Sequence, residues 1–226
     1  MQRVVHTIRQ IARHEIGQYW NPAVGVVKSV YGSDAGTGYA CTVALRESGI
    51  VLPKVPIATG AIGFVTLPRE NDLVLVVFAG GDLHAPVVVG RLYNEQVAPP
   101  QHGPGELVLV LPGDETDSTR RLELRVQTPG DGTRSLQLTL DGGVKVSLTV
   151  DDEGIGLEAQ EAKLKLTQSS SSNGTAELAV GDSRVRIEQS GNVTIEASGT
   201  LKLKAAQIQI EGDSTVKVAG QTIDLN

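Results

Sequence analysis

Pairs of aliphatic residues spaced two apart recur toward the C-terminal end of the chain: Val185/Ile187, Val193/Ile195, Leu201/Leu203, Ile208/Ile210, Val216/Val218 and Ile223/Leu225. Their starts are separated by 8, 8, 7, 8 and 7 residues. Gly, Ser, Asn or Asp lies between most neighbours, as in Ser190-Gly191-Asn192, Ser198-Gly199, Gly212-Asp213-Ser214 and Gly220. A spacing of two places both aliphatics of a pair on one face of a short strand. Such a strand closes no core alone, and a solenoid coil made by a single chain needs more than about eight residues to go round once. The repeat therefore predicts a core shared between copies. Three chains, each giving one short strand per face, form a triangular prism with Val, Ile and Leu along a narrow axis. Burial of each aliphatic is worth roughly 1.5–3 kcal/mol, so the shared axis supplies the stability that one chain lacks. The alternate positions, Arg184, Arg186, Glu188, Thr194, Glu196, Lys202, Lys204, Gln207, Gln209, Glu211 and Lys217, read as the solvated face.

Composition agrees with a thin core. All seven aromatics lie between Tyr19 and Tyr93, and the 133 residues that follow contain none. Aromatic side chains fill wide cores, so their absence is a constraint on width. Upstream of the strict repeat, Leu122/Leu124/Val126, Leu136/Leu138/Leu140, Val144/Val146/Leu148/Val150 and Leu164/Leu166 read as longer alternating strands. They are broken by Pro129-Gly130-Asp131-Gly132 and Asp141-Gly142-Gly143. The run Ser169–Ser172 with Asn173-Gly174 reads as a surface loop.

The first ninety or so residues follow other rules. Residues 2–17 carry Val4, Val5, Ile8, Ile11, Ala12 and Ile16 at helical spacing, with Gly17 as a stop. This predicts an amphipathic helix that packs either on its own domain or on a partner. From Ala23 onward, short β-branched runs alternate with turn residues. The runs are Val24–Tyr31, Tyr39–Leu45, Ile62–Leu67, Leu73–Phe78 and Pro86–Tyr93, separated by Gly32-Ser33-Asp34-Ala35-Gly36, Asn71-Asp72 and Gly80-Gly81-Asp82. Five strands without intervening helices predict a small antiparallel barrel of the OB type, filled by Phe64, Phe78, Tyr39 and aliphatics. Three prolines within Val97–Gly105 form a stiff connector. The expected division is helix 1–20, barrel 21–96, linker 97–105 and β-repeat shaft 106–226.

Charge and motifs exclude several functions. Lys plus Arg number 20 against 26 Asp plus Glu, a net charge of −6, and no segment offers the basic stripe needed for nucleic acid. One cysteine, Cys41, excludes an intrachain disulfide framework. The N-terminus lacks a signal-peptide apolar core, and the run Leu73–Ala79 is too short to span a bilayer. The chain reads as made in the cytoplasm. Gly181-Asp182-Ser183 resembles one esterase nucleophile block but reads as a turn, with no suitably placed His after it. His6, His14, His84 and His102 are scattered, and the acidic groups Asp114-Glu115-Asp117 and Asp151-Asp152-Glu153 read as solvated loop tips. No catalytic residue, metal site or cofactor is expected.

The barrel segment carries a recognisable motif. Pro68, Asn71, Asp72, Val74, Val76 and Phe78, then Gly81-Asp82, Pro86-Val87, Gly90 and Tyr93-Asn94, closed by Pro99-Pro100, resemble the OB motif of phage baseplate assembly protein V and of VgrG spikes. Asn71 stands where that family usually has glycine; Asn also accepts left-handed backbone. The order of parts is similar too: N-terminal helix, OB barrel, short linker, intertwined trimeric β-helix. The resemblance implies a non-enzymatic, membrane-puncturing central spike of a contractile injection machine, whether phage tail, tailocin or related system. It implies a homotrimer docked on a trimeric hub by its barrels, with the paired aliphatics from Val185 to Leu225 as trimer core. The lysozyme domain and fused hub of some relatives find no room here, nor does the chain end in the iron-holding His-x-His of certain phage spikes. A PAAR-type tip protein is therefore expected on Ile223, Asp224, Leu225 and Asn226. The rival readings are a β-helix enzyme acting on acidic polysaccharide and a receptor-binding adhesin.

Overall fold

The computed structural model describes residue 5 and residues 19–32, 38–130 and 132–224. Apart from Val5, the helix expected over 2–17 lies outside the described residues, as do most of the turn before Tyr39 and the last two residues, Leu225 and Asn226. The chain divides into two units, residues 1–99 and 100–226, each built on its own sheet.

The first unit contains β1 (Ala23–Tyr31), β2 (Ala40–Leu45), β3 (Val51–Pro56), β4 (Leu73–Phe78) and β5 (Pro86–Leu92). Antiparallel pairing gives the order β3-β2-β1-β4-β5. A parallel bridge between Ile57 and Val88, with Ala58 N donating to Val88 O at 2.8 Å, joins the two outer strands and closes the barrel. Closure requires bent strands, and the ladders shift register between Val27 and Ser29, between Cys41 and Val43, and between Leu75 and Val76. Such bulges sharpen the local twist.

Alternation aims one side of each strand inward. The interior holds Val27, Cys41, Val43, Leu45, Leu52, Val55, Val74, Val76, Phe78 and Val88. It is built from valine more than from the expected aromatics. Of the three proposed fillers only Phe78 is inside; Phe64 is 55% exposed, and Tyr39 is half-buried.

The expected strand Ile62–Leu67 does not form, and Val51–Pro56 takes its place. Gly60 and Gly63, the latter with φ 94°, turn the chain where alternation is needed. Pro53 and Pro56 both lie in this strand, although proline cannot donate to a ladder. Pro53 and Lys54 fall in the irregularity opposite Thr42, and Lys54 has φ 51°. The proline thus sits where the ladder is already interrupted.

The chain enters the barrel through two aromatics. Trp20 N donates to Gly81 O at 2.8 Å, and the Trp20 and Phe78 rings lie 5.6 Å apart at 52°. Tyr19 lies against Gly81, where a Cβ would overlap its ring, and Gly81 has φ 78°.

The second unit is a single antiparallel meander. Its strands are β6 (Glu106–Leu111), β7 (Leu122–Gln127), β8 (Ser135–Asp141), β9 (Lys145–Asp151), β10 (Gly154–Ala159), β11 (Ala162–Thr167), β12 (Thr175–Val180), β13 (Ser183–Glu188) and β14 (Val193–Glu196). Each pairs with its sequence neighbours in unbroken register. The first two repeat units belong to this meander. Val185/Ile187 and Val193/Ile195 sit on adjacent strands of one chain and pair with each other.

Two outcomes follow for the barrel. Gly81→Ala should destabilise it by about 1–3 kcal/mol, since a side chain there meets both left-handed backbone and the Tyr19 ring; a lowered denaturant midpoint with an unchanged slope checks this. The Cys41 side chain is buried, which pushes its thiol up to about 11. It should resist alkylation at pH 8 in the native protein and react only with unfolding, as mass spectrometry would read.

Candidate functional site

The motif residues hold the barrel's turns. Asp72 N donates to Arg69 O at 3.1 Å and the Asp72 carboxylate accepts from Arg69 N at 2.8 Å, closing a four-residue turn. Asn71 lies at its third position with φ 72°, a conformation that asparagine tolerates better than most side chains. Reciprocal bonds from Val27 N to Asp72 O (3.0 Å) and from Asn71 N to Val27 O (2.9 Å) tie this turn to β1. Asp82 organises the next turn, accepting from His84 N at 2.8 Å through its side chain and from Ala85 N at 3.0 Å through its carbonyl. Asn94 fixes the exit: its Oδ1 accepts from Gln96 N and Val97 N, both at 2.8 Å. Val74, Val76 and Phe78 point inward from β4, whereas Tyr93 is exposed.

Between β3 and β4 the chain makes a loop that stands out from the barrel. Tyr39 clamps one end, its hydroxyl donating to Thr66 O at 2.9 Å and accepting from Thr66 N at 3.1 Å. Thr59 Oγ1 holds the tip through Ala61 O (2.9 Å) and Phe64 O (2.8 Å). Ile62 at 99% exposure and Val65 at 68% project from this turn.

The second unit presents a surface of another kind. Residue by residue, the ladders align Leu109, Leu124, Leu138, Leu148, Leu157, Leu164, Leu178, Val185 and Ile195 in one row. A parallel row runs from Leu107 through Val126, Leu136, Val150, Ile155, Leu166, Ala176 and Ile187 to Val193. A third runs from Leu111 through Leu122, Leu140, Val146, Ala159 and Ala162 to Val180. Period-two alternation puts all three on the same face. At about 4.8 Å per strand, that face extends roughly 40 Å across the nine strands. Yet among the described residues of 100–224 none is fully buried.

The opposite face is polar and charged. Directly opposed pairs include Arg184–Glu196 at 2.7 Å, Arg186–Glu177 at 4.0 Å and Lys163–Glu158 at 3.8 Å. At their exposures such pairs contribute little stability, but they mark this as the water side. An open cleft of about 590 Å³ borders the apolar face, lined by Val150, Ile155, Leu166, Ala176 and Ile187. Gln189 walls it at the end by holding the serine loop, donating to Ser171 O at 3.0 Å and accepting from Gly174 N at 2.9 Å.

Beyond β14 the pairing stops. No ladder forms among the described residues 197–224, although Leu203, Ile210 and Val218 are 64%, 69% and 70% exposed. Of the expected tip residues Ile223 and Asp224 are exposed, and Leu225 and Asn226 lie outside the described residues.

Three strands of the apolar face escape a search for spaced pairs. In β6 the alternation is masked by the unbroken run Leu107–Leu111. In β10 Gly154 and Gly156 take the outward positions around Ile155 and Leu157, and in β12 alanines share both faces.

The acidic clusters serve local structure. Asp151 Oδ1 accepts from Glu153 N and Gly154 N at 2.9 Å, Asp152 accepts from Arg134 N at 2.7 Å, and Asp117 caps Thr119 N at 2.9 Å. Gly181-Asp182 is the two-residue turn between paired Val180 and Ser183. At the start of the sheet, Glu106 accepts from Gln127, from Gly103 N at 2.9 Å and from Arg125 at 3.0 Å. The Gln127 bond above all, then that from Gly103, holds the Glu106 carboxyl below the usual range.

No curated protein matches the chain. Residues 37–93, which run from before β2 through β5 and include the loop and the turns at Asp72 and Asp82, match the family model of the Type VI secretion system/phage-baseplate injector OB domain. Over these residues the barrel is similar to that injector OB domain, in agreement with the resemblance of its motif to phage baseplate assembly protein V and VgrG spikes.

Proposed function

We propose that this protein is the central spike of a contractile injection machine: a homotrimer whose barrels dock on a trimeric baseplate hub and whose β-shaft is driven through a target membrane. The family of the barrel supports a structural role in a baseplate. The observation that carries the finer reading is the apolar face of the second unit. Three aligned rows of aliphatics with no full cover among the described residues call for a partner, since exposed apolar patches beyond a few hundred Å² mark interaction surfaces. A second and third copy of the same sheet supply that cover most economically. Each presents an apolar face of the same dimensions, and the charged opposite faces then remain in water. Three sheets around one axis form a prism whose interior accepts Val, Leu and Ile but no aromatic ring, in keeping with the composition of residues 94–226.

Residues 197–224 fit the same assembly. Their unpaired backbone groups find ladder partners on neighbouring copies, and Leu201/Leu203, Ile208/Ile210 and Val216/Val218 with Ile223 continue the apolar axis. The last strands offer open edges, the surface that a PAAR-type tip protein covers in this reading. Mechanical stiffness is then the working property, and no residue is assigned to chemistry. In a phage-tail-like particle the spike sits at the centre of the baseplate.

Mass in solution tests the assembly. Light scattering should give three times the 23.8 kDa chain mass; a monomer would sink the spike reading. Leu148→Lys, in the middle of the central row, should abolish the trimer while leaving the Cys41 thiol protected in the separate barrel. Imaging of assembled particles should place the chain on the central axis, and density elsewhere would refute the placement.

A further inference from the structure

The Pro-rich connector is tied down at both ends, which leaves little of it free. On the barrel side Asn94 N donates to Val97 O at 3.1 Å, and the Asn94 side chain caps the same turn. On the sheet side Gln101–Gly105 form a strap along the start of the second unit. Gln101 O accepts from Arg125 Nη2 at 3.3 Å, Gly103 O from Glu106 N at 3.3 Å, and Gly105 O from Thr128 N at 2.9 Å. Ala98, Pro99 and Pro100 are what lies between the two sets of bonds. Proline fixes φ in two of the three, and Ala98 and Pro99, each standing before a proline, are held extended.

One carboxylate gathers the bonds of the strap. Glu106 accepts from Gly103 N at 2.9 Å, from Arg125 Nη1 at 3.0 Å and from Gln127 Nε2, the last two on β7. Arg125 in turn reaches Gln101 O and is braced by Glu123 at 2.9 Å. With side chains 22% and 19% exposed, Arg125 and Glu106 form the least exposed ion pair among the described residues. Charge-assisted bonds at such a site are stronger and less screened than those on the open water face. We infer that Glu106 is a latch: its charged carboxylate keeps Gln101–Pro104 on the sheet, and loss of that charge frees them. Opening lengthens the free connector from three residues, Ala98–Pro100, to seven, Ala98–Pro104. At ~3.1 Å per residue its reach grows from roughly 9 Å to roughly 22 Å. The Gln127 bond, then the Gly103 bond, holds the carboxyl below its ordinary value of 4.5. The charged form therefore belongs to the closed latch, which is fully stabilised above that value and opens as the pH falls through the lowered one. The ionisable groups around Glu106 are Arg125 and Glu123 of β7, Arg121 at 3.5 Å from Glu123, and His102 of the strap, whose Nδ1 lies 2.8 Å from Pro100 O. The latch is a property of one chain and does not rest on the three-chain assembly.

Amide hydrogen exchange of the full chain, read by mass spectrometry at neutral pH, tests the latch. Glu106→Gln keeps the shape of the side chain and removes its charge. It should raise exchange over residues 101–106 roughly tenfold or more, while β7–β9 and the barrel exchange as in the unaltered chain. Glu106→Ala, which removes the oxygens as well, should give no larger rise if charge is what closes the latch. Unchanged exchange over 101–106 in Glu106→Gln would overturn the inference. So would a large rise in Glu106→Ala alone, which would make the contact one of shape. A rise spread equally over β6–β9 would overturn it too, since Glu106 would then support the sheet and not the strap.

Discussion

The apolar face of the nine-stranded sheet is the constraint on which the rest depends. Its rows stay aligned because no strand of the meander slips: side chains alternate with period two, so a slip of one residue would send a strand's aliphatics to the water face and its charges inward. Short turns hold that register, such as Gly181-Asp182 between Val180 and Ser183. The result is a surface with no interior of its own. Every buried apolar side chain among the described residues lies in the barrel, between Val27 and Val88.

The two units therefore complete a core in opposite ways. The barrel closes on itself, using bulges at Lys28, Pro53–Lys54 and Val89 to bend strands that would otherwise stay open. Its five strands leave an interior narrow enough for valines, and Phe78 reaches the end where Trp20 meets it. The meander has regular strands, no bulge and no closure, so its stability is tied to what covers it. Seen this way, the aromatic boundary at Tyr93 separates a unit that ends in aromatic contacts from one that has no place for them.

The parts of this arrangement that are legible in the sequence are those where one residue pattern dictates one geometry. Leu73–Phe78 alternates cleanly and forms β4; the Asn71-Asp72 and Gly81-Asp82 turns carry the residues that positive φ and side-chain caps require. Aliphatics two apart mark β7, β8, β9, β11, β13 and β14. Failures occur where two rules compete. Pro53 and Pro56 argue against β3 until a bulge accommodates the first, and the apolar run after Ala61 reads as a strand although Gly63 turns it outward. Sequence periodicity also does not say where pairing within the chain stops. Val185/Ile187 and Leu201/Leu203 look alike, yet only the first lies in a ladder of its own chain.

Strand length offers a physical reason for that change. From β6 to β13 each strand has six or seven residues, and β14 has four. Beyond it each unit keeps only its pair of aliphatics between short breaks, most of them glycine-bearing. A hairpin gains ladder bonds and cross-strand contacts in proportion to strand length, whereas ordering its turn costs much the same whatever the length. Long strands can therefore hold together within one chain while their apolar face waits for cover. Strands of three residues gain too little from a hairpin, and in the proposed three-chain assembly they would take their contacts from other copies. Pairing within the chain stops just past Glu196, where the strands become too short to pair alone, and in the proposed trimer this is where self-paired sheets would give way to interleaved chains.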